Sequence, residues 1–367
     1  MCQSWSTSSG KTSVHAHHPL SASGSAGGVQ NSGTIRSKPA AVPGVSGQGK
    51  MRFRVLFASD HLPKLAQTGL VAAHGGFAVD HRPGRGETYF TLPEAGILQI
   101  SSDLKTIREL KTPKEMTKVN LHNTTIWYAK DGTPFLIFPA NEVGKVFTTT
   151  LSGDLVHTLN VPTAHDDFDH PEVNDYFFGH GNFAPTGAEH IDGLYYVTTG
   201  YSNLDYVLTA RIIQTNPFEA VWNDLAFGGK GTAHGQFGTA HAITVPPGQK
   251  RLDIADRPNS RIERFSRYGH YRSTLKMPHG SLPCDIDYLD QYAVVACLEG
   301  SDKTKGAPIY VLENDKLIST VMPKEELGLT NFQHNHNAVL RRIGNKYYII
   351  AQAWNPGDFA ILEQVSE

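Results

Sequence analysis

Ala240-His241-Ala242-Ile243-Thr244-Val245, Arg251-Leu252-Asp253-Ile254-Ala255, Arg261-Ile262-Glu263-Arg264-Phe265 and Arg272-Ser273-Thr274-Leu275 follow one another within a single stretch of this chain. Pro246-Pro247-Gly248, Asp256-Arg257-Pro258-Asn259-Ser260 and Arg267-Tyr268-Gly269 separate them. Short apolar or alternating runs parted by turn residues read as strands. Four of them within about 40 residues make one antiparallel sheet, the size of a single propeller blade.

The same unit recurs along the sequence. Its strong second strand returns as Thr88–Leu92, Phe135–Phe138, Leu194–Val197, Tyr292–Ala296 and Lys346–Ile350. Third strands are read at Gly96–Ile100 and Gly144–Phe147, and fourth strands at Leu155–Leu159 and Leu317–Val321. The sixth unit runs out after Phe359–Leu362, while a surplus strand, Met51–Phe57, stands at the start. Pairing the surplus strand with the incomplete unit closes a ring and removes a free sheet edge. The expectation is an all-β chain: a six-bladed β-propeller over 51–367, with the N-terminal strand closing the last blade. A pair of β-sandwiches is the alternative, and the shared order of the units speaks against it.

Composition narrows the class. The chain has 367 residues, 39% hydrophobic and 19% charged, which supports a folded core. A formal charge of −2 argues against nucleic acid or an anionic membrane as partner, since both favour a basic face. Residues 1–50 are rich in Ser and Gly and lack the apolar run of a secretory signal. They read as a disordered tail carrying His15, His17 and His18, and the protein as a cytoplasmic monomer. Three cysteines, Cys2, Cys284 and Cys297, make no disulfide framework. The connection from Val161 to Gly179 holds His165, Asp166, Asp167, Asp169, His170, Glu172 and Asp175. It reads as a cover for a site, as a holder of a structural Ca²⁺, or simply as a solvated acidic loop.

Among 18 histidines, His122, His241 and His336 fall at the same place in alternate units, at separations of 119 and 95 residues. In a closed ring such positions face one axis. Three neutral imidazoles meeting there suit a divalent metal such as Zn²⁺ with a position left open. A second series, His74-Gly75-Gly76, His180-Gly181, His234-Gly235 and His279-Gly280, precedes four inner strands. It reads as a structural turn, with metal ligands in place of those three as the other reading. Cys284 occupies the place of His241 in the fifth unit and should face the channel.

Gly235-Gln236-Phe237 with Ala255-Asp256-Arg257-Pro258-Asn259-Ser260-Arg261-Ile262 resembles an NHL repeat. With the histidines added, the chain resembles the peptidylglycine alpha-amidating lyases, NHL propellers with a three-His zinc centre. The resemblance spans about residues 51–365. Thr199-Gly200-Tyr201-Ser202-Asn203 is similar to the family's turn bearing a catalytic Tyr, Ala255-Asp256-Arg257 to a turn bearing a site Arg, and His81-Arg82 to a second. The resemblance therefore implies His122, His241 and His336 as zinc ligands, Tyr201 as general base, and Arg257 and Arg82 as binders of a substrate carboxylate. It implies cleavage of a carbinolamide, the N–C(OH) unit of a peptidyl α-hydroxyglycine, into an amide and glyoxylate. Departures are the absence of Pro before the three His, and His334 where the family has Met. The substrate is thus expected to be a small molecule or peptide-like. A non-catalytic NHL propeller serving as a protein-interaction scaffold is the competing reading.

Overall fold

The computed structural model describes residues 44–163 and 165–365, and among them the chain is nearly all strand. Each of the six sheets is antiparallel, and five of them have four strands in simple sequence order. The sixth runs Ser46–Gln48, Met51–Phe57, Asp358–Gln364, Lys346–Trp354, His334–Ile343. Met51–Phe57 pairs with Asp358–Gln364 in the register Phe53↔Gln364 to Phe57↔Ile361, so the N-terminal strand completes the last blade.

The hydrophobic core proves the ring. Six clusters of buried side chains lie among the described residues, and each joins two consecutive sheets. Phe138 and Tyr89 link blades 2 and 1, Phe135 and Tyr195 blades 2 and 3, Tyr196 and Ile254 blades 3 and 4. Ile262 and Val295 link blades 4 and 5, Val294 and Leu340 blades 5 and 6, and Ile350 and Phe90 blades 6 and 1. Every sheet is thus apolar on both faces, which is why the second strands read as continuous rather than alternating runs. The chain is a six-bladed β-propeller, and the two-sandwich alternative falls.

The tail expected over 1–50 lies outside the described residues up to 43, as do His15, His17 and His18. Over 44–50 the expectation is corrected. Ser46–Gln48 forms an extra outer strand on Met51–Phe57. Gln48 exchanges hydrogen bonds with Thr320 on the outer strand of blade 5, donating from Nε2 to its carbonyl and accepting from its N–H. Three polar residues carry no apolar periodicity, so nothing local announces a strand held by hydrogen bonds.

The long turn of blade 4 explains why two distant sequence elements occur together. Asp256 accepts hydrogen bonds from Gly238 N, Asn259 Nδ2 and Arg261 Nε. Arg261 in turn donates to the carbonyls of Thr232, Ala233 and Gln236. Asp, Asn and Arg therefore staple the loop that leads into the inner strand. Among the described residues three short α-helices, Lys64–Gly69, Pro171–Phe178 and Pro323–Leu327, sit in connections between blades. No helix among the described residues is long and apolar enough to cross a membrane.

Candidate metal centre

The inner strands Ala78–Val79, Thr125–Tyr128, Gly187–Ile191, Ala240–Thr244, Pro283–Leu289 and His334–Ile343 line the channel. At their entry ends the sheet register slips. Pairing shifts between Ala240 and Ile243, between Pro283 and Asp285, and between Asn335 and Asn337. His241, Cys284 and His336 are the residues at these bulges, and a bulge re-aims its side chain. The sequence equivalence of Cys284 with His241 thus has a structural counterpart. In blade 2 the matching residue, His122, lies just ahead of its strand and is fixed by its N–H to Pro139 O at 2.8 Å.

The three imidazoles converge. Ring centroids lie 4.6 Å apart for His122 and His241, 4.8 Å for His122 and His336, and 4.8 Å for His241 and His336. All three residues are 1% exposed. His122 Nδ1 meets Thr186 O at 2.7 Å and His241 Nδ1 meets Cys284 O at 2.7 Å. Since a carbonyl only accepts, both nitrogens carry the proton, and Nε2 is left with its lone pair. A carbonyl from another blade thereby sets each ring's tautomer.

The residues fit a metal. His122 Nε2 and both ring nitrogens of His336 are buried with no hydrogen-bond partner. Buried polar atoms are nearly always paired, so such a cluster is explained by a cation that accepts their lone pairs. Burial pushes His122 down to about 3, and holds His241 and His336 well below the ordinary imidazole range. The rings are neutral and ready to ligate at any ordinary pH. The ligand atoms of His74, His122 and His336 all lie within 4.8 Å of one another. His241 Nε2 instead lies 3.1 Å from Tyr201 Oη.

Tyr201 stands on the turn between the second and third strands of blade 3. That turn presses on blade 4 so closely that a Cβ on Gly200 would come 2.2 Å from Ala240 O. Arg257 Nη2 donates to Tyr201 Oη at 3.1 Å, and its guanidinium lies 5.3 Å from the Tyr201 ring centre. Arg257 Nη1 is 4.0 Å from Cys284 Sγ. Arg257 is 4% exposed, and the Asp205 carboxyl feels its charge. A buried cation is costly, and an anionic ligand would relieve it. Burial raises the Tyr201 phenol above its ordinary value, against the opposing Arg257 charge. Burial likewise pushes Cys284 up to about 11, so it is a thiol. Cys284 and Cys297 are both free and buried.

Arg82 is not part of this cluster. It follows the inner strand of blade 1, ion-pairs with Asp80 at 2.6 Å, and lies over Tyr128, the last residue of the inner strand of blade 2. His122 stands ahead of that same strand, so Arg82 belongs to the opposite end of the channel. Of the His-Gly series only His74 comes to the cluster. His180, His234 and His279 are exposed, and His234 stacks on Tyr271 of its own blade. His334 Nδ1 bonds to Leu298 O at 2.9 Å. The acidic connection uses its carboxylates locally: Asp166 on Thr163, Asp167 on Asn174, Glu172 on Tyr206. None of them joins a group of three or more ligating side chains among the described residues.

The opposite end of the channel is a cavity of about 710 Å³, lined by Asp285, Asp287, Glu189, His81 and Tyr288 among others. Asp285 is 6% exposed, and burial pushes its carboxyl up to about 7. A folded-state value above the unfolded one means the folded chain binds a proton that the unfolded chain releases. That stability is fully present below the ordinary carboxylate value and is lost as pH rises through about 7. Asp285→Asn, the neutral isostere, should flatten the fall in denaturation midpoint between pH 5 and pH 8. Its gain at pH 8 should be on the order of a few kcal/mol. Parallel pH profiles for the two proteins would remove Asp285 as the cause.

No protein-family model matches the chain, and no curated protein matches it. Solved structures do. A gluconolactonase from Xanthomonas campestris superposes with a TM-score of 0.52 at 10% identity, covering 90% of this chain and 99% of that one. Virginiamycin B lyase from Staphylococcus aureus gives 0.46 at 15% identity, covering 80% of this chain and 96% of that one. At such identities the likeness is one of fold.

Proposed function

We propose that this chain is a metal-dependent lyase that cleaves an N–C(OH) carbinolamide, or a related small hemiaminal, carrying a carboxylate. The observation that carries the reading is the buried Arg257 donating to Tyr201 Oη, which in turn touches His241. His122, His241 and His336 would hold the cation. Neutral imidazoles suit Zn²⁺ and its transition-metal neighbours rather than Ca²⁺ or Mg²⁺. When bound, the cation supplies a Lewis acid in a dry site.

The chain's own groups do the rest. Arg257 binds the substrate carboxylate and fixes the carbinol carbon beside Tyr201. Tyr201 takes the hydroxyl proton as general base in its phenolate form, which the Arg257 charge favours and burial opposes. The C–O bond becomes a carbonyl, the C–N bond breaks, and the departing nitrogen recovers the proton from Tyr201. An α-hydroxyglycine amide thus gives a primary amide and glyoxylate with no atom left over. Burial of His122, His241 and Arg257 around the half-buried Tyr201 limits the water that competes for the proton.

Screening carboxylate-bearing α-hydroxyglycine amides and their decarboxylated analogues for aldehyde release tests the reading. The carboxylates should turn over and the analogues should not. Arg257→Gln should raise KM by about 10- to 100-fold, the value of a charge-assisted hydrogen bond of ~1.5–3 kcal/mol. Equal turnover of both substrate sets, or none of either by metal-loaded protein, would remove this substrate class.

A further inference from the structure

We infer that His74 is a fourth ligand of the metal centre, so that the cation is held by imidazoles from blades 1, 2, 4 and 6. The inference rests on the reading that His122, His241 and His336 hold a cation. His74 lies in the connection leading into blade 1, outside the register that picks out the other three. Its ring centroid is nevertheless 4.4 Å from His336 and 5.0 Å from His122. Its ligand atom lies within 4.8 Å of those of His122 and His336, as theirs do of each other.

The loop is built to bring it there. A Cβ on Gly76 would come 1.8 Å from Asn123 Oδ1 and 2.9 Å from Asn337 Nδ2. A Cβ on Gly75 would come 2.6 Å from Thr91 O. Asn123 and Asn337 directly follow His122 and His336, so the glycine pair lets the backbone close onto the two ligand-bearing segments. Phe77 N locks the approach by donating to Asn337 Oδ1 at 3.1 Å. The ring is oriented too. Trp354 stacks on it at 5.3 Å and 23°, and the Asn120 amide lies 3.1 Å from Nδ1. Asn120 Oδ1 is buried with no partner, and turning the amide over presents that oxygen to Nδ1–H. Nε2 then offers its lone pair to the cation, in the same arrangement as His122 and His241.

Four neutral donors leave the cation its full charge, near the Arg257 guanidinium. His74 and His122 precede their inner strands, while His241 and His336 sit within theirs.

The test loads wild type, His74→Ala and His74→Phe with Zn²⁺, the Phe keeping a ring against Trp354. X-ray absorption counts the imidazole nitrogens, and competition with a chelator gives the affinity. The expected result is four nitrogens in wild type, three in each variant, and Zn²⁺ affinity lower by about 100-fold or more, since even outer-shell changes cost 10- to 100-fold. Three nitrogens in wild type that persist in both variants, or unchanged affinity in either folded variant, overturns the assignment of His74 and leaves the three-His reading standing. No Zn²⁺ bound by wild type overturns both. Should one variant fail to fold, the wild-type count and the other variant decide.

Discussion

Replacing His122 and His241 together by alanine is expected to take bound divalent metal from one equivalent to none and to abolish turnover. Both side chains lie in the channel with their Nδ1–H groups committed to carbonyls, so what each loses is an Nε2 aimed at its neighbours. A Lewis acid supplies several kcal/mol at the reacting oxygen, so the rate should fall by about 10³-fold or more. Stability separates loss of the site from loss of the fold. Metal at 100 times its dissociation constant should raise the unfolding free energy of wild type by about 2.7 kcal/mol, and that of the double variant not at all. Without metal, the double variant should be the less stable of the two, because only His122 Nε2 lacks a partner while both Nδ1–H groups bond to buried carbonyls that the substitution leaves unpaired. Elemental analysis and denaturation with and without chelator check this. A wild type that is stably folded and free of metal after growth and refolding with Zn²⁺ would leave the scaffold reading in possession.

Tyr201→Phe carries the second large effect. The phenol oxygen is the atom that touches both Arg257 Nη2 and His241 Nε2, each at 3.1 Å, while the ring packs edge-on against His122 at 4.9 Å. Phenylalanine keeps the ring and removes only the proton acceptor. A positioned general base contributes about 10²- to 10⁴-fold, so kcat should fall by that range while metal content and KM stay near wild type. The pH profile adds an independent readout. Burial raises the phenol against the Arg257 charge, so wild-type kcat/KM should climb with pH along a limb set by Tyr201 ionisation. That limb should be missing in the variant. Retained turnover, or a limb that survives, would take Tyr201 out of the chemistry.

The candidate site was legible in proportion to how far the repeat reaches. His122, His241 and His336 were found because a propeller maps equal sequence positions onto equal places around one axis. Three such positions on alternate blades must then meet. Tyr201 and Arg257 lie on turns at the same end and also came together with the imidazoles. Arg82 did not, because it follows its inner strand where the imidazoles precede theirs, and a strand through the channel carries its two ends to opposite openings. His74 appeared in the sequence only as one of four His-Gly elements. Nothing in the letters separates it from His180, His234 and His279, which turn to solvent.

The strand pattern, the six-fold repeat, the closing of the ring by Met51–Phe57 and the register of three imidazoles were all determined by the sequence alone. Each depends on periodicity within a blade or between blades, and periodicity survives in one dimension. The strand Ser46–Gln48, the place of Arg82, the entry of His74 and the pairing of Arg257 with Tyr201 were decided only by the tertiary structure. These depend on which backbones approach across blade boundaries: Gly200 against Ala240, Gly76 against Asn123, and bulges at His241 and His336. Such contacts join residues far apart in the chain, and no local pattern encodes them.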